Sequence, residues 1–438
     1  MGVQPLSSAN SKLAKHFDSF KCYLQVFIFA TVVGSAGVLF SCSGPGNSRD
    51  ASLTLISFSA STTEPNSDVR TSAISGSELL PVAGWSEIGL PDFVGDARVV
   101  MEWTGSEILM WGDDQNALQA GGRSRLGAAY DPETGGWRRL AVMPGPAQWG
   151  AASVWTGNEV IVCCGQRSSS TFAYTPLSDT WLRLADAPTT SAFGAEAVWT
   201  GAEMLVASSE GVAIYKPGIE EWELAAPLPA RLGNFGRRPE VAWTGTELIV
   251  WPTSLSPALR RGLAFDPGGN TWRQLPEPPA WPAMPDVAWT GEELILWGGL
   301  PASGSNDYSQ RAVGSAYDPS ANTWTAMPDA LPEPESFEGN LGSQTLIWTG
   351  AELIVSTGHL GTGLVASDSL LLRFHPRTRV WELLGLSPVS GYNVEAIMVG
   401  NRIALLEPDR SLHLSEPNWR PQPQPAPTLG ISLQEGAE

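Results

Sequence analysis

Short apolar runs, each stopped by a glycine- or proline-marked turn, recur along the chain from about residue 85 onward and predict strands. Val241-Ala242-Trp243 stops at Thr244-Gly245, and Leu248-Ile249-Val250-Trp251 follows, the pattern of a β-hairpin with a glycine turn. The Trp-Thr-Gly triplet that begins at Trp243 also begins at Trp103, Trp155, Trp199, Trp289 and Trp348, and Met398-Val399-Gly400 is a degenerate seventh copy. After each of the first six copies an aromatic residue precedes a tryptophan by seven positions: Tyr130, Tyr174, Tyr215, Phe265, Tyr317 and Phe374 lead to Trp137, Trp181, Trp222, Trp272, Trp324 and Trp381. The residue two after each aromatic is proline, which sets a turn between a third and a fourth strand. Each unit is therefore four strands, and the triplets run 44 to 59 residues apart.

A lone four-stranded sheet cannot bury both faces, so units at this period pack side by side around an axis as a β-propeller. The pattern resembles the kelch repeat, most closely in Leu294-Ile295-Leu296-Trp297-Gly298-Gly299 with Tyr317 and Trp324. Other units lose the glycine pair, as at Gly112-Asp113, Ser208-Ser209 and Pro252-Thr253, so the chain looks like a divergent bacterial kelch-like group, related in fold to the central domain of galactose oxidase. Trp85 lies 18 residues before Trp103, the spacing of Trp137 to Trp155, so Trp85 to Ile88 reads as a fourth strand without its own first three. The last unit, Val394 to Leu414, lacks a fourth strand because Pro421 and Pro423 follow Trp419. The expected fold is all-β: a seven-bladed kelch-like propeller over residues 81–419, its last blade closed by the N-terminal strand.

The ends of the chain read differently. Lys12, Lys15 and Lys21 precede an apolar run from Tyr23 to Phe40, the order of an export signal whose basic end stays in the cytoplasm. Leu39-Phe40-Ser41-Cys42 resembles a bacterial lipobox, which implies lipidation of Cys42; the bulk of Phe40 leaves an uncleaved anchor or ordinary secretion open. Residues 1–42 are thus read as export signal or anchor, 43–80 as a flexible Ser/Thr/Gly-rich tether and 420–438 as a disordered tail. All three export readings place the propeller outside the cytoplasm, held to the membrane by its N-terminus alone. Cys163 and Cys164 follow Val160-Ile161-Val162 and read as small buried side chains in a strand, a strained bond between them being the sharper alternative.

Composition narrows the partners. With 26 Lys plus Arg against 45 Asp plus Glu the net charge is −19, which repels nucleic acid. Of 19 tryptophans, 16 occupy repeated scaffold positions and leave Trp149, Trp281 and Trp419. The repeated Glu107, Glu159, Glu203, Glu247, Glu293 and Glu352 read as structural for the same reason. His359, His375 and His413 are expected in different blades, without metal-ligand spacing, and His375 as a turn residue. The two Tyr, two His and Cys of the related copper oxidase map onto no residues of this chain, and Asp131 to Trp137 resembles a sialidase Asp box only superficially. No metal, cofactor or catalytic residue is expected.

Ligands of kelch-like propellers bind at the mouth of the central channel, on the connections from strand four to the next strand one and from strand two to strand three. Trp149, Phe193, Arg237 and Tyr392 stand on the first kind, with Trp281 and Arg238 nearby, and Arg123, Arg125, Arg260, Arg261 and Arg311 on the second. Aromatic faces beside guanidinium forks suit a sugar ring bearing a carboxylate; the bland reading packs these aromatics between blades and leaves the arginines balancing an acidic surface. The expectation is a monomeric binding module for a protein or carbohydrate ligand at the cell envelope. The alternatives are a sugar-acting enzyme resembling the kelch-type sialic-acid mutarotases, with Glu196, Glu240 or Glu395 as acid or base, and a passive spacer.

Overall fold

The computed structural model describes residues 21–23, 37–38, 41–43, 56–57, 80–91, 100–111, 126–144, 150–165, 168–189, 194–228, 239–253, 261–280, 285–298, 313–330, 344–357, 369–389, 394–407 and 411–423. Two units divide the chain, Met1–Ser72 and Ala73–Glu438. In the first, Lys21–Tyr23 pairs with Ser41–Ser43 and Gly37–Val38 with Ile56–Ser57, which puts Cys42 opposite Cys22. Among the described residues no helix is long and apolar enough to cross a membrane.

The second unit consists of seven four-stranded antiparallel sheets. Blade 1 runs Val100–Trp103, Ile108–Trp111, Gly127–Asp131 and Gly136–Leu140, and blades 2 to 6 repeat this order through Leu386. Blade 7 takes Glu395–Val399, Arg402–Glu407 and Ser411–Ser415 from the end of the chain and its outer strand, Trp85–Gly89, from the start. The closure expected from the Trp85 spacing is therefore present. The seven innermost strands touch in sequence and the last touches the first, so they form a closed ring.

In blades 1 to 6 the second strands are buried along their whole length, as in Ile108–Trp111 and Leu248–Trp251, whereas fourth strands such as Thr180–Arg183 are mostly exposed. Alternation explains how one strand fills two cores. Leu109 and Trp111 pack against Val160, Val162 and Tyr174 of blade 2, while Ile108 and Met110 pack against Ala404, Leu406 and Leu414 of blade 7. Each blade thus gives one face to each neighbour, and no blade has a core of its own.

The repeated residues hold these seams. Trp181, Trp222, Trp272, Trp324 and Trp381 each donate their indole N–H to a backbone carbonyl of the preceding blade, at Ala141, Ala185, Ala226, Pro276 and Pro328. The Thr of each Trp-Thr-Gly accepts from, and donates to, the backbone of the Glu three residues on, as Thr104 does with Glu107 at 3.0 and 3.1 Å. In blades 1 and 4 an arginine then grips that glutamate. Arg273 grips both oxygens of Glu247 at 2.8 and 2.5 Å and donates to the Tyr317 hydroxyl of the next blade at 2.8 Å. Arg138 holds Glu107 in the same way at 2.7 and 2.6 Å, so the structural reading of these two glutamates stands.

Closure uses a different device. The outer strand of blade 6, Val380–Leu386, carries a bulge, and its end exchanges hydrogen bonds with Leu80 and Val82. Trp419, left over from the repeat count, donates to the Ala83 carbonyl at 2.9 Å and stands edge-on to Trp85 at 5.2 Å. It pins the C-terminal end to the N-terminal strand. Cys163 and Cys164 are free, buried thiols; Cys163 ends its strand and Cys164 lies just beyond it at a φ of 60°.

Candidate functional site: the channel mouth and its carboxylates

The two faces of the propeller are built differently. In the first six blades strands one and two are joined by four residues, as Thr104 to Glu107 join Trp103 to Ile108. Connections on the opposite face are unequal and mostly longer: 15 residues separate Trp111 from Gly127 and 18 separate Ala326 from Thr345, but only two separate Ser208 from Gly211. The inner strands begin at this second face, so their first residues ring the mouth of the channel.

Those first residues include Glu196, Glu240, Asp286 and Glu395, in blades 3, 4, 5 and 7. Glu102, one residue before Trp103 in blade 1, joins them. Its carboxylate accepts a 2.5 Å hydrogen bond from the Ser153 hydroxyl of blade 2. Asp286 accepts from its neighbour Val287 N–H and from Leu346 N–H of blade 6, both at 2.8 Å. Burial pushes Glu102 up from 4.5 to about 7, opposed by the Ser153 bond and reinforced by the charge of Glu196. Burial likewise lifts Asp286 to about 7 against its two backbone bonds, with the charges of Glu196 and Glu395 adding to the rise. Carboxylates from blades 1, 3, 5 and 7 thus act on one another, and burial and like charge favour the protonated forms of Glu102 and Asp286.

Of the mouth residues singled out in the sequence, Arg261 is described. It is exposed and pairs with Glu277 of its own blade at 3.3 Å, a surface ion pair of small energetic weight. Trp149, Phe193, Arg237, Arg238, Trp281, Tyr392, Arg123, Arg125, Arg260 and Arg311 lie outside the described residues. The structure does bring Glu196 and Glu395 together, and adds Glu102 and Asp286, which the sequence reading passed over. Asp286 stands three before its Trp, in the same column as Glu196 and Glu240, so an alignment on Trp-Thr-Gly shows it. Glu102 is offset by two residues and carries no such signal.

The histidine reading needs correction. His375 ends the third strand of blade 6, and position 359 falls between the second and third strands of that same blade, so these two do not occupy different blades. Nor is His375 a simple turn residue: its Nε2 lies 3.0 Å from Glu382 and its Nδ1 3.4 Å from Glu352. Burial works against ionisation of Glu382, but His375 and Arg373 together hold its carboxyl below the usual value. Among the described residues no group of His, Cys, Asp and Glu is placed to hold a metal ion.

Fold and site together define a seven-bladed β-propeller with an acidic channel and long connections over one face. No protein-family model matches the chain, and no curated protein matches it.

Proposed function

We propose that the protein is an extracytoplasmic, membrane-tethered binding module of the kelch-like propeller type, recognising a ligand or protein partner at the channel mouth. The observation that carries this reading is the asymmetry of the faces. One face is closed by near-identical four-residue turns locked by Thr and Glu, and the other carries the long connections. A rigid ring whose connections vary most there suits recognition by loops on a fixed scaffold. The Lys-flanked apolar run and Leu39-Phe40-Ser41-Cys42 support export and anchoring. The charge of Glu196 reaching Glu102 and Asp286 favours a neutral or cationic group over an acidic sugar at the axis.

A thermal-shift screen of the full chain against neutral sugars, acidic sugars, polyamines and cell-wall fragments tests the proposal. A ligand at 100 times its dissociation constant stabilises the fold by about 2.7 kcal/mol. Trp149→Ala combined with Arg237→Ala is expected to abolish the gain given by at least one of these ligands, at nearly unchanged melting temperature of the free protein. If the double variant keeps full binding, recognition does not occur at the mouth.

A further inference from the structure

The seam between blades 6 and 7 differs from the other six, and it holds a cavity of about 210 Å³. Two replacements in blade 7 create it. In blades 1 to 6 the third-strand residue opposite the outer-strand Trp is a Tyr or Phe, as Tyr317 is opposite Trp324, and its ring packs against the preceding blade. In blade 7 the residue opposite Trp85 is Ser415. The Trp of Trp-Thr-Gly is likewise replaced, by Met398. Ser415 and Met398 both line the cavity, with Ile354 of blade 6 and Trp419 of the closing segment. The space follows from what the seventh repeat lacks, and it opens on the face opposite the long connections, where the turn residues Thr349 and Gly400 lie.

The polar wall also differs from that of blades 1 and 4. Glu352 occupies the position of Glu107 and Glu247, but blade 6 has Glu382 where those blades have the gripping arginine. Arg373 turns instead to Glu382, at 2.7 and 2.5 Å. Glu352 is left with Arg373 at 3.8 Å, His375 at 3.4 Å and Arg420 at 3.6 Å, all longer than the 2.5–2.8 Å bonds that Arg138 and Arg273 make. Its carboxylate, 18% exposed, is charge-balanced yet has room to accept hydrogen bonds from something in the cavity. Asn401, Asn418 and Arg420 line the same space.

We propose that this cavity binds a neutral, hydroxyl-rich small molecule of monosaccharide size. The volume is that of about seven waters at ~30 Å³ each, enough for one sugar ring. With two arginines already beside Glu352 a ligand needs no charge of its own, only hydroxyls that donate to the carboxylate and accept from the amides and Arg420. Trp419, Ile354 and Met398 supply the apolar surface against which the C–H face of a ring packs. The site is independent of the channel mouth, on the other face of the ring.

Calorimetric titration of the full chain with glucose, galactose and N-acetylglucosamine, beside glucuronate and glycine as charged probes, tests the assignment. At least one neutral sugar is expected to bind. Met398→Trp, which restores the residue of the other six blades and fills the cavity, is expected to abolish binding. Glu352→Gln keeps the shape and is expected to weaken binding tenfold or more, which decides the matter should Met398→Trp fail to fold. Trp149→Ala with Arg237→Ala is expected to leave this binding unchanged, so failure at the mouth and failure at the seam are distinguishable. Binding of the charged probes alone, of no sugar at all, or of a sugar equally well by Glu352→Gln would overturn the proposal.

Discussion

Glu102→Gln is predicted to stabilise the propeller at alkaline pH and to leave it unchanged in acid. Between pH 4.5 and 7 the unfolded carboxyl loses its proton while the folded one, held at about 7 by burial and by Glu196, keeps it. The native state therefore binds more protons in that window, and stability falls as pH rises through it. The rise from 4.5 to about 7 corresponds to a loss of about 3 kcal/mol, complete above pH 7, at ~1.4 kcal/mol per pH unit. Glutamine retains an oxygen to accept from Ser153 and carries no charge to bury. The variant is thus expected to melt roughly 4 °C higher at pH 8, taking the ~2 cal/mol/K per residue typical of unfolding. At pH 4 its melting temperature should match that of the parent. Differential scanning calorimetry of both proteins from pH 4 to pH 8 measures the divergence. Two parallel curves, or a variant less stable at pH 8, would refute the argument that Glu102 is destabilised by its place on the channel wall.

Other consequences concern the scaffold. A Cβ at Gly127 would lie 2.3 Å from the Trp111 ring, so Gly127→Ala should cost about 1–3 kcal/mol by overpacking in chemical denaturation. Gly245→Ala meets nothing within 4 Å and suffers only its φ of 98°, about 1 kcal/mol; a larger cost at Gly245 than at Gly127 would contradict the packing argument. Arg273→Ala should cost about 2 kcal/mol by leaving Glu247 half-buried without its partner. In a double-mutant cycle with Tyr317→Phe the two effects should be non-additive, and strict additivity would show that the brace across the seam carries no energy. Trp419→Ala, which removes the bond to Ala83 and the contact with Trp85, should cost about 3 kcal/mol and speed hydrogen exchange of the Trp85–Gly89 amides before those of blades 2 to 5.

Sequence reasoning reached the fold because a propeller is written locally. Every Trp-Thr-Gly, every aromatic-to-Trp spacing and every proline turn lies within one unit, and the vacancy for Trp85 follows from counting, since a ring with three strands in its last blade needs a fourth. Seam chemistry was half legible: repetition identified Glu107 and Glu247 as structural, but the same logic assigned Glu352 alike, and only the arrangement of Arg373, His375, Glu382 and Arg420 around it sets it apart. The channel carboxylates were less legible still. Glu102, Glu196, Asp286 and Glu395 come from blades far apart in the chain, and curvature of the ring, which no local motif encodes, brings them to one axis. The cavity was hidden for a related reason. A degenerate repeat shows in the sequence that Ser415 and Met398 are smaller than their counterparts, but whether the space they vacate collapses or stays open depends on how blade 6, blade 7 and the Trp419 latch pack against one another, which is settled only when the ring closes.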